Sequence, residues 1–171
     1  DIIVGTKNGE FFEGFIGNVV IQNSTELIAS KTYNILTTPA QNLKLYAHWE
    51  EANYTATAND TTEYFLTLAD AYDYIVNTQG ASIGEIKAIK DDIQDDSKLT
   101  IAANKDITID TNGKIITMTN ATASRVTAIT NKGKLTLNGN GTITTLGTAE
   151  NKIVTLISNS GTNTNGILII N

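Results

Sequence analysis

Between Leu99 and Asn120 the sequence LTIAANKDITIDTNGKIITMTN alternates apolar and polar residues in three short runs, beginning near Lys98, Asp106 and Lys114. A two-residue period puts successive side chains on opposite faces of a strand. The runs start again near Val126, Lys134 and Thr142, with spacings of 8, 8, 12, 8 and 8 residues, and the whole set recurs at 28. Ile101, Ile129 and Ile157 share a phase, as do Ile107 and Leu135, Ile109 and Leu137, and Ile115 and Ile143. Turn residues obey the same shift, because DTNGKI (110 to 115) lies over NGNGTI (138 to 143).

Three short strands joined by tight turns form a coil whose inward side chains are covered only when the next coil stacks on it. Stacked coils pair in parallel, about 4.8 Å apart. The pattern predicts a mostly all-β chain built around a right-handed parallel β-helix, with Ile101, Ile129 and Ile157 in one buried column. Asn131 over Asn159 and Asn112 over Asn140 are expected to form amide ladders at the corners, and Gly113 over Gly141 fits a corner of positive φ. Upstream, TLADAYDYIVNTQG predicts a helix over 68–77, with Thr67 as N-cap, Asp70 at the third helical position, Leu68, Ala71, Tyr72 and Ile75 on one face, and Gly80 as the stop. That helix is placed to cap the first coil, which opens with the strand EIKAIK (85 to 90). GILIIN (166 to 171) matches GKLTLN (133 to 138) and reads as one more strand, from which further coils are expected to follow.

Composition supports this reading. Thr, Asn, Ile and Gly dominate and Pro39 is the sole proline, the usage of a β-rich chain whose turns are made by Asn and Gly. A chain of 171 residues buries roughly 70% of its unfolded surface without a disulfide or metal staple. The absence of cysteine excludes thiolate zinc sites and cysteine nucleophiles. A net charge of −6 argues against nucleic acid as a partner, which needs clustered Lys and Arg. No apolar run is long enough to insert in a membrane, and the opening Asp1 suggests a processed chain or a piece of a larger multidomain one.

Upstream of about residue 58 the 28-residue pattern disappears and Phe11, Phe12, Phe15, Tyr33, Tyr46, Trp49 and Tyr54 concentrate, marking a second, smaller domain. The polar stretch EEANYTATANDTTE (50 to 63) reads as the linker. NGEFFEGF (8 to 15), followed by LKLYAHWE (43 to 50), resembles the C-terminal part of the Listeria/Bacteroides repeat, a small β-grasp-like module of bacterial surface proteins. On this basis residues 1–58 are a partial module of that type, with Phe15 where tryptophan is common, and residues 59–171 are the helix-capped β-helix. TLADAYDYIV, IKAIKDDI, SKLTIAANKDITIDTNGKII and AITNKGKLTLNGNGTI resemble stalk or adhesin-like regions of Gram-positive surface proteins. Both resemblances imply a location on the bacterial cell surface or secretion from the cell.

Candidate chemistry is sparse. His48 is the only histidine, so a Ser-His-Asp relay has one possible base, and no nucleophile-elbow serine accompanies it. In DDIQDD, Asp91, Asp92, Asp95 and Asp96 crowd hard oxygen ligands into one stretch and are the candidate Ca²⁺ ligands, although their spacing is not that of an EF-hand. A solvated loop between coils explains them as well. Parallel β-helices include polysaccharide lyases and hydrolases, for which Asp106, Asp110 and the lone solenoid arginine, Arg125, are the candidates. Corner aspartates capping turns are the simpler reading. Outward rows containing Thr100, Thr108, Thr117, Thr136 and Thr144 offer a regular surface or merely β-propensity. Sequons at Asn23, Asn53, Asn59 and Asn120 matter only in a host that glycosylates them.

The sequence therefore points to a non-catalytic fragment of a bacterial surface protein. It is expected to act as adhesin or stalk and to contact a host or matrix protein or a surface glycan, without a cofactor other than the Ca²⁺ considered above. A carbohydrate-active β-helix enzyme is the alternative.

Overall fold

The structure is a computed structural model that describes residues 15–23, 26–28, 44–120, 125–146, 153–160 and 166–171, with side chains from residue 51 onward. It divides into two compact units, Asp1–Glu51 and Ala52–Asn171. In the first, β1 (Phe15–Asn23) pairs antiparallel with β2 (Glu26–Ile28) on one side and β3 (Lys44–Glu51) on the other, with Gly17 opposite Trp49. The stretch KLYAHWE (44 to 50) thus lies in a three-stranded antiparallel sheet, while Leu43 and most of NGEFFEGF lie outside the described residues.

The second unit is mostly β and opens with a hairpin, β4 (Tyr54–Ala58) and β5 (Thr61–Phe65). This corrects the linker expected over residues 50 to 63. Alternate residues Tyr54, Ala56 and Ala58 are buried, and Asn59 and Asp60 turn the chain at positive φ, a conformation that Asn and Asp tolerate. After the hairpin come α1 (Leu68–Asp73) and a π-helical turn over Tyr74–Thr78. The helix predicted over 68–77 is present, with its last turn widened. Thr67 accepts from the Asp70 amide at 3.1 Å and donates to the Asp70 carboxylate at 2.7 Å. Tyr72 packs partly buried against the core on the expected face, the Ala102 amide donating to its hydroxyl at 3.0 Å, and Tyr74 is buried as well.

Nine further strands follow β6 (Ile83–Ala88) among the described residues: β7 (Ile93–Asp95), β8 (Leu99–Ile101), β9 (Asp106–Asp110), β10 (Ile115–Met118), β11 (Val126–Asn131), β12 (Lys134–Asn138), β13 (Thr142–Thr145), β14 (Ile153–Asn159) and β15 (Ile167–Ile170). The chain visits three sheets in turn. They are ordered β13-β10-β7, β14-β11-β8 and β15-β12-β9-β6-β4-β5, and every contact from β6 onward is parallel. Ile86, Ile93, Leu99, Ile101, Ile107, Ile109, Ile116, Met118, Ile129 and Leu135 form a continuous buried core between them.

Register agrees with the sequence pattern at some contacts and departs at others. Leu135 lies beside Ile107, Leu137 beside Ile109, and Ile157 beside Ile129. Ile129, however, faces Leu99, and Ile101 faces Asn131, a slip of two residues that keeps every side chain on its own face. Ile115 pairs with Thr142 instead of Ile143 and is exposed, while Ile116 takes the core position. A slip of one residue inverts the faces. Its cause is a shorter corner: residues 139–141 join β12 to β13 where 111–114 join β9 to β10. The buried Thr111 hydroxyl fills the gap, donating to Asn138 O at 3.0 Å and accepting from Gly141 N at 2.9 Å.

Two corner expectations also divide. The buried Asn131 donates to the Asn159 side chain at 2.7 Å and to Ile167 O at 2.9 Å, and accepts from Gly133 N at 3.1 Å. Asn112 makes no such ladder with Asn140; its amide donates to Ala88 O at 3.1 Å. Gly113 has φ +75°, as expected, but at the matching corner the positive-φ glycine is Gly139, not Gly141. Gly141 is required for a different reason, since a Cβ there would collide with Lys114 O and the Thr111 side chain.

Candidate functional site

The acidic stretch is strand as well as loop, and its carboxylates diverge. β7 alternates Ile93 in, Gln94 out and Asp95 in, so Asp95 is buried under the first turn of α1. Its two oxygens accept from Leu68 N at 2.8 Å and Ser97 N at 2.9 Å, which satisfies one of the helix amides that lack an intrahelical acceptor. Ser97 Oγ accepts from Ala69 N at 3.3 Å. Asp91 is exposed and pairs with Lys114 at 2.8 Å; Asp92 and Asp96 are exposed. Among the described residues no three acidic or histidine side chains form a group able to hold a metal ion. The structure therefore gives Asp95 to helix capping and does not gather the four residues into a Ca²⁺ cage.

Above Asp95 lies Tyr54, whose hydroxyl is buried and makes no hydrogen bond of regular geometry. Burial first, then the Asp95 charge and contact with that carboxylate, pushes its phenol well above the ordinary value near 10. Sequence reasoning missed this pair because the strand containing Tyr54 was read as linker.

Asp106 and Asp110 occupy the two ends of β9 on one outward face. Four residues of strand separate them by about 13 Å, beyond the roughly 5–9.5 Å that glycoside hydrolysis requires of its carboxylates. Each also has a partner. Lys134 pairs with Asp106 at 2.8 Å, Lys87 with Asp110 at 3.9 Å, and Asp110 caps its own turn by accepting from Asn112 N at 2.8 Å. Arg125 is exposed and adjoins β11, in a different sheet. The structure does not bring these three residues into one reactive cleft.

What it does assemble is an outward surface in register. Across the six-stranded sheet, Thr62, Thr57, Glu85, Thr108, Thr136 and Ile169 form one row, and Tyr64, Thr55, Lys87, Asp110 and Asn138 the next. The Thr57 and Thr62 hydroxyls hydrogen-bond at 2.8 Å. At about 4.8 Å per strand the face is on the order of 24 Å across. The other two sheets carry shorter rows, Gln94, Thr117 and Thr144, and Thr100, Thr130 and Ser158. Lysines also tie successive strands: Lys105 donates to Ala81 O at 2.8 Å, and Lys98 to Asp96 O at 2.7 Å and Thr119 O at 3.1 Å.

His48 stands opposite Asn18 in the first unit, and its side chain and Asn23's lie outside those described. Two sequon amides are engaged, Asn53 donating to Leu66 O at 2.7 Å and Asn59 to Gln79 O at 2.9 Å, and Asn120 is buried. No helix among the described residues is long and apolar enough to cross a membrane. Comparison with known protein families, with curated proteins and with solved structures gave no match.

Proposed function

We propose that the second unit is a right-handed parallel β-helix capped by α1. In this reading it belongs, with a Listeria/Bacteroides-type module in the first unit, to a bacterial protein that is secreted or held on the cell surface. Its work is non-catalytic: it is an adhesin or stalk that presents a face to a host or matrix protein or a surface glycan. The observation that supports the reading is that from β6 onward the chain visits three sheets in turn and pairs each strand in parallel with the one three strands earlier, an order that builds length and a regular exterior from one short design. The row of hydroxyls flanked by Lys-Asp pairs on the six-stranded sheet suits polar, reversible contact with an extended ligand.

The test is a binding screen of the whole chain on glycan and extracellular-matrix arrays, with Ca²⁺ and with EDTA. The adhesin reading expects specific binding that survives EDTA, since the acidic stretch forms no metal group among the described residues, and that is lost in the double variant Thr108→Lys with Thr136→Lys. Silence in both conditions removes the adhesin and leaves the stalk. Depolymerisation of any polysaccharide offered contradicts the non-catalytic reading.

A further inference from the structure

The outward face of the six-stranded sheet is the one the proposed role uses, and its rows differ in chemistry. The central row runs Thr62, Thr57, Glu85, Thr108 and Thr136 across β5, β4, β6, β9 and β12. Flanking rows lie two residues away along the strands, about 7 Å to either side. One contains Lys87 opposite Asp110, and the other Asp106 opposite Lys134. The two ion pairs thus stand on opposite sides of the hydroxyls and one strand apart, the first on β6 and β9 and the second on β9 and β12. Glu85 is exposed and forms no ion pair among the described residues. Tyr64 lies on the same face beside Thr55, partly exposed.

These features select a ligand class. Protein-binding surfaces concentrate apolar and aromatic anchors, whereas of the exposed large apolar residues only Ile83 belongs to these five strands. Lys87 and Lys134 are paired with aspartates of the same face, so nothing there draws an anionic polymer to a chain of net charge −6. What remains is hydrogen bonding, repeated from strand to strand. That repeat has a counterpart in polysaccharides: the sugars of an extended β-1,4-linked chain advance by about 5 Å and turn alternate edges to either side, against about 4.8 Å between strands.

Resting on the adhesin reading of this face, we infer that it takes a neutral β-1,4-linked polysaccharide laid across the strands, one sugar to each. Ring hydroxyls lie over the central row, alternate edges reach the Lys87–Asp110 and Asp106–Lys134 pairs, and the sugar over β5 stands beside Tyr64. On both edges the carboxylates accept hydrogen bonds from sugar hydroxyls and the ammonium groups donate to hydroxyl oxygens, charge-assisted bonds that a neutral ligand receives without a charge of its own. Five strands hold about five sugars, so one sugar binds weakly and affinity accumulates along the chain.

The test is titration calorimetry of the whole chain with neutral β-1,4-linked gluco-, manno- and xylo-oligosaccharides of graded length, from the disaccharide to the heptasaccharide, with heparin and collagen offered alongside. For at least one series, affinity is expected to rise about tenfold from the disaccharide to the pentasaccharide and by less than about twofold beyond it. It is also expected to be insensitive to salt, as binding of an uncharged ligand should be. The double variant Thr108→Lys with Thr136→Lys should lose about tenfold or more in affinity, and Thr117→Lys with Thr144→Lys, on another sheet, should lose none. Circular dichroism reports whether each variant folds, and Glu85→Ala, which alters an exposed side chain, repeats the test with an expected loss of about threefold should the first variant not fold. Affinity that does not grow with chain length, or a preference for heparin, overturns the inference. So does binding of collagen alone, lost in the folded Thr108→Lys, Thr136→Lys variant, which leaves the adhesin reading standing. No binding to any of these ligands removes both and leaves the stalk.

Discussion

Asn131 holds one corner together through a fully buried amide that bonds in three directions. Its replacement by Leu leaves Gly133 N and Ile167 O without that partner, and a buried group left unpaired costs about 1–3 kcal/mol. Asn131→Leu is therefore expected to lower unfolding free energy in urea by about 3 kcal/mol, and Asn112→Ala by about 1–2 kcal/mol, from one bond of an exposed residue and the strain of alanine at φ +50°. Gly141→Ala drives a methyl into Lys114 O and the Thr111 side chain, and should cost about 1–3 kcal/mol by the same assay. Tyr54 supplies a pH signature. Because its folded pKa is raised, its contribution is complete below the ordinary value near 10 and is lost as pH rises above it, at up to about 1.4 kcal/mol per pH unit. Tyr54→Phe should flatten the alkaline limb of a stability-pH curve by that slope; an unchanged limb would refute the assignment. At this scale the Asn131–Asn159 pair is legible as two asparagines 28 residues apart. The reason for Gly141 is not, because steric demand from Thr111 and Lys114, about 30 residues earlier, leaves no local mark.

At the scale of elements, α1 is docked by a side chain 27 residues away. Asp95→Ala removes the acceptor of Leu68 N and of Ser97 N. Hydrogen exchange over 68–78 should accelerate at least tenfold more than over β12, where equal acceleration would mean global destabilisation instead. The helix itself was legible from Thr67, Asp70 and the apolar spacing, since capping is local chemistry. β7 and the β4–β5 hairpin were not. Polar residues outnumber apolar ones in both, and in each the burial of alternate small or polar side chains, Ala56, Ala58 and Asp95, is set by neighbouring strands and not by hydrophobicity. Strands β8 to β13 stood out because their alternation uses Ile, Leu and Met. The one-residue slip between β10 and β13 escaped for the opposite reason: IITM offers two adjacent isoleucines, and only the length of the corner decides which faces in.

At the scale of the whole molecule, the account rests on the claim that strands far apart in sequence stack in parallel and in register, the outward threonines forming rows across the six-stranded sheet. The absence of cysteine lets engineered pairs report that register directly. In-register neighbours lie about 4.8 Å apart at Cα, within the roughly 4.4–6.8 Å that a disulfide spans. Under mild oxidation the pairs Thr108→Cys with Thr136→Cys and Thr136→Cys with Ile169→Cys should cross-link within one chain, faster than Asp106→Cys with Thr136→Cys, which is two residues out of register. Equal or reversed rates would contradict the stacked arrangement, and with it the face assigned to binding.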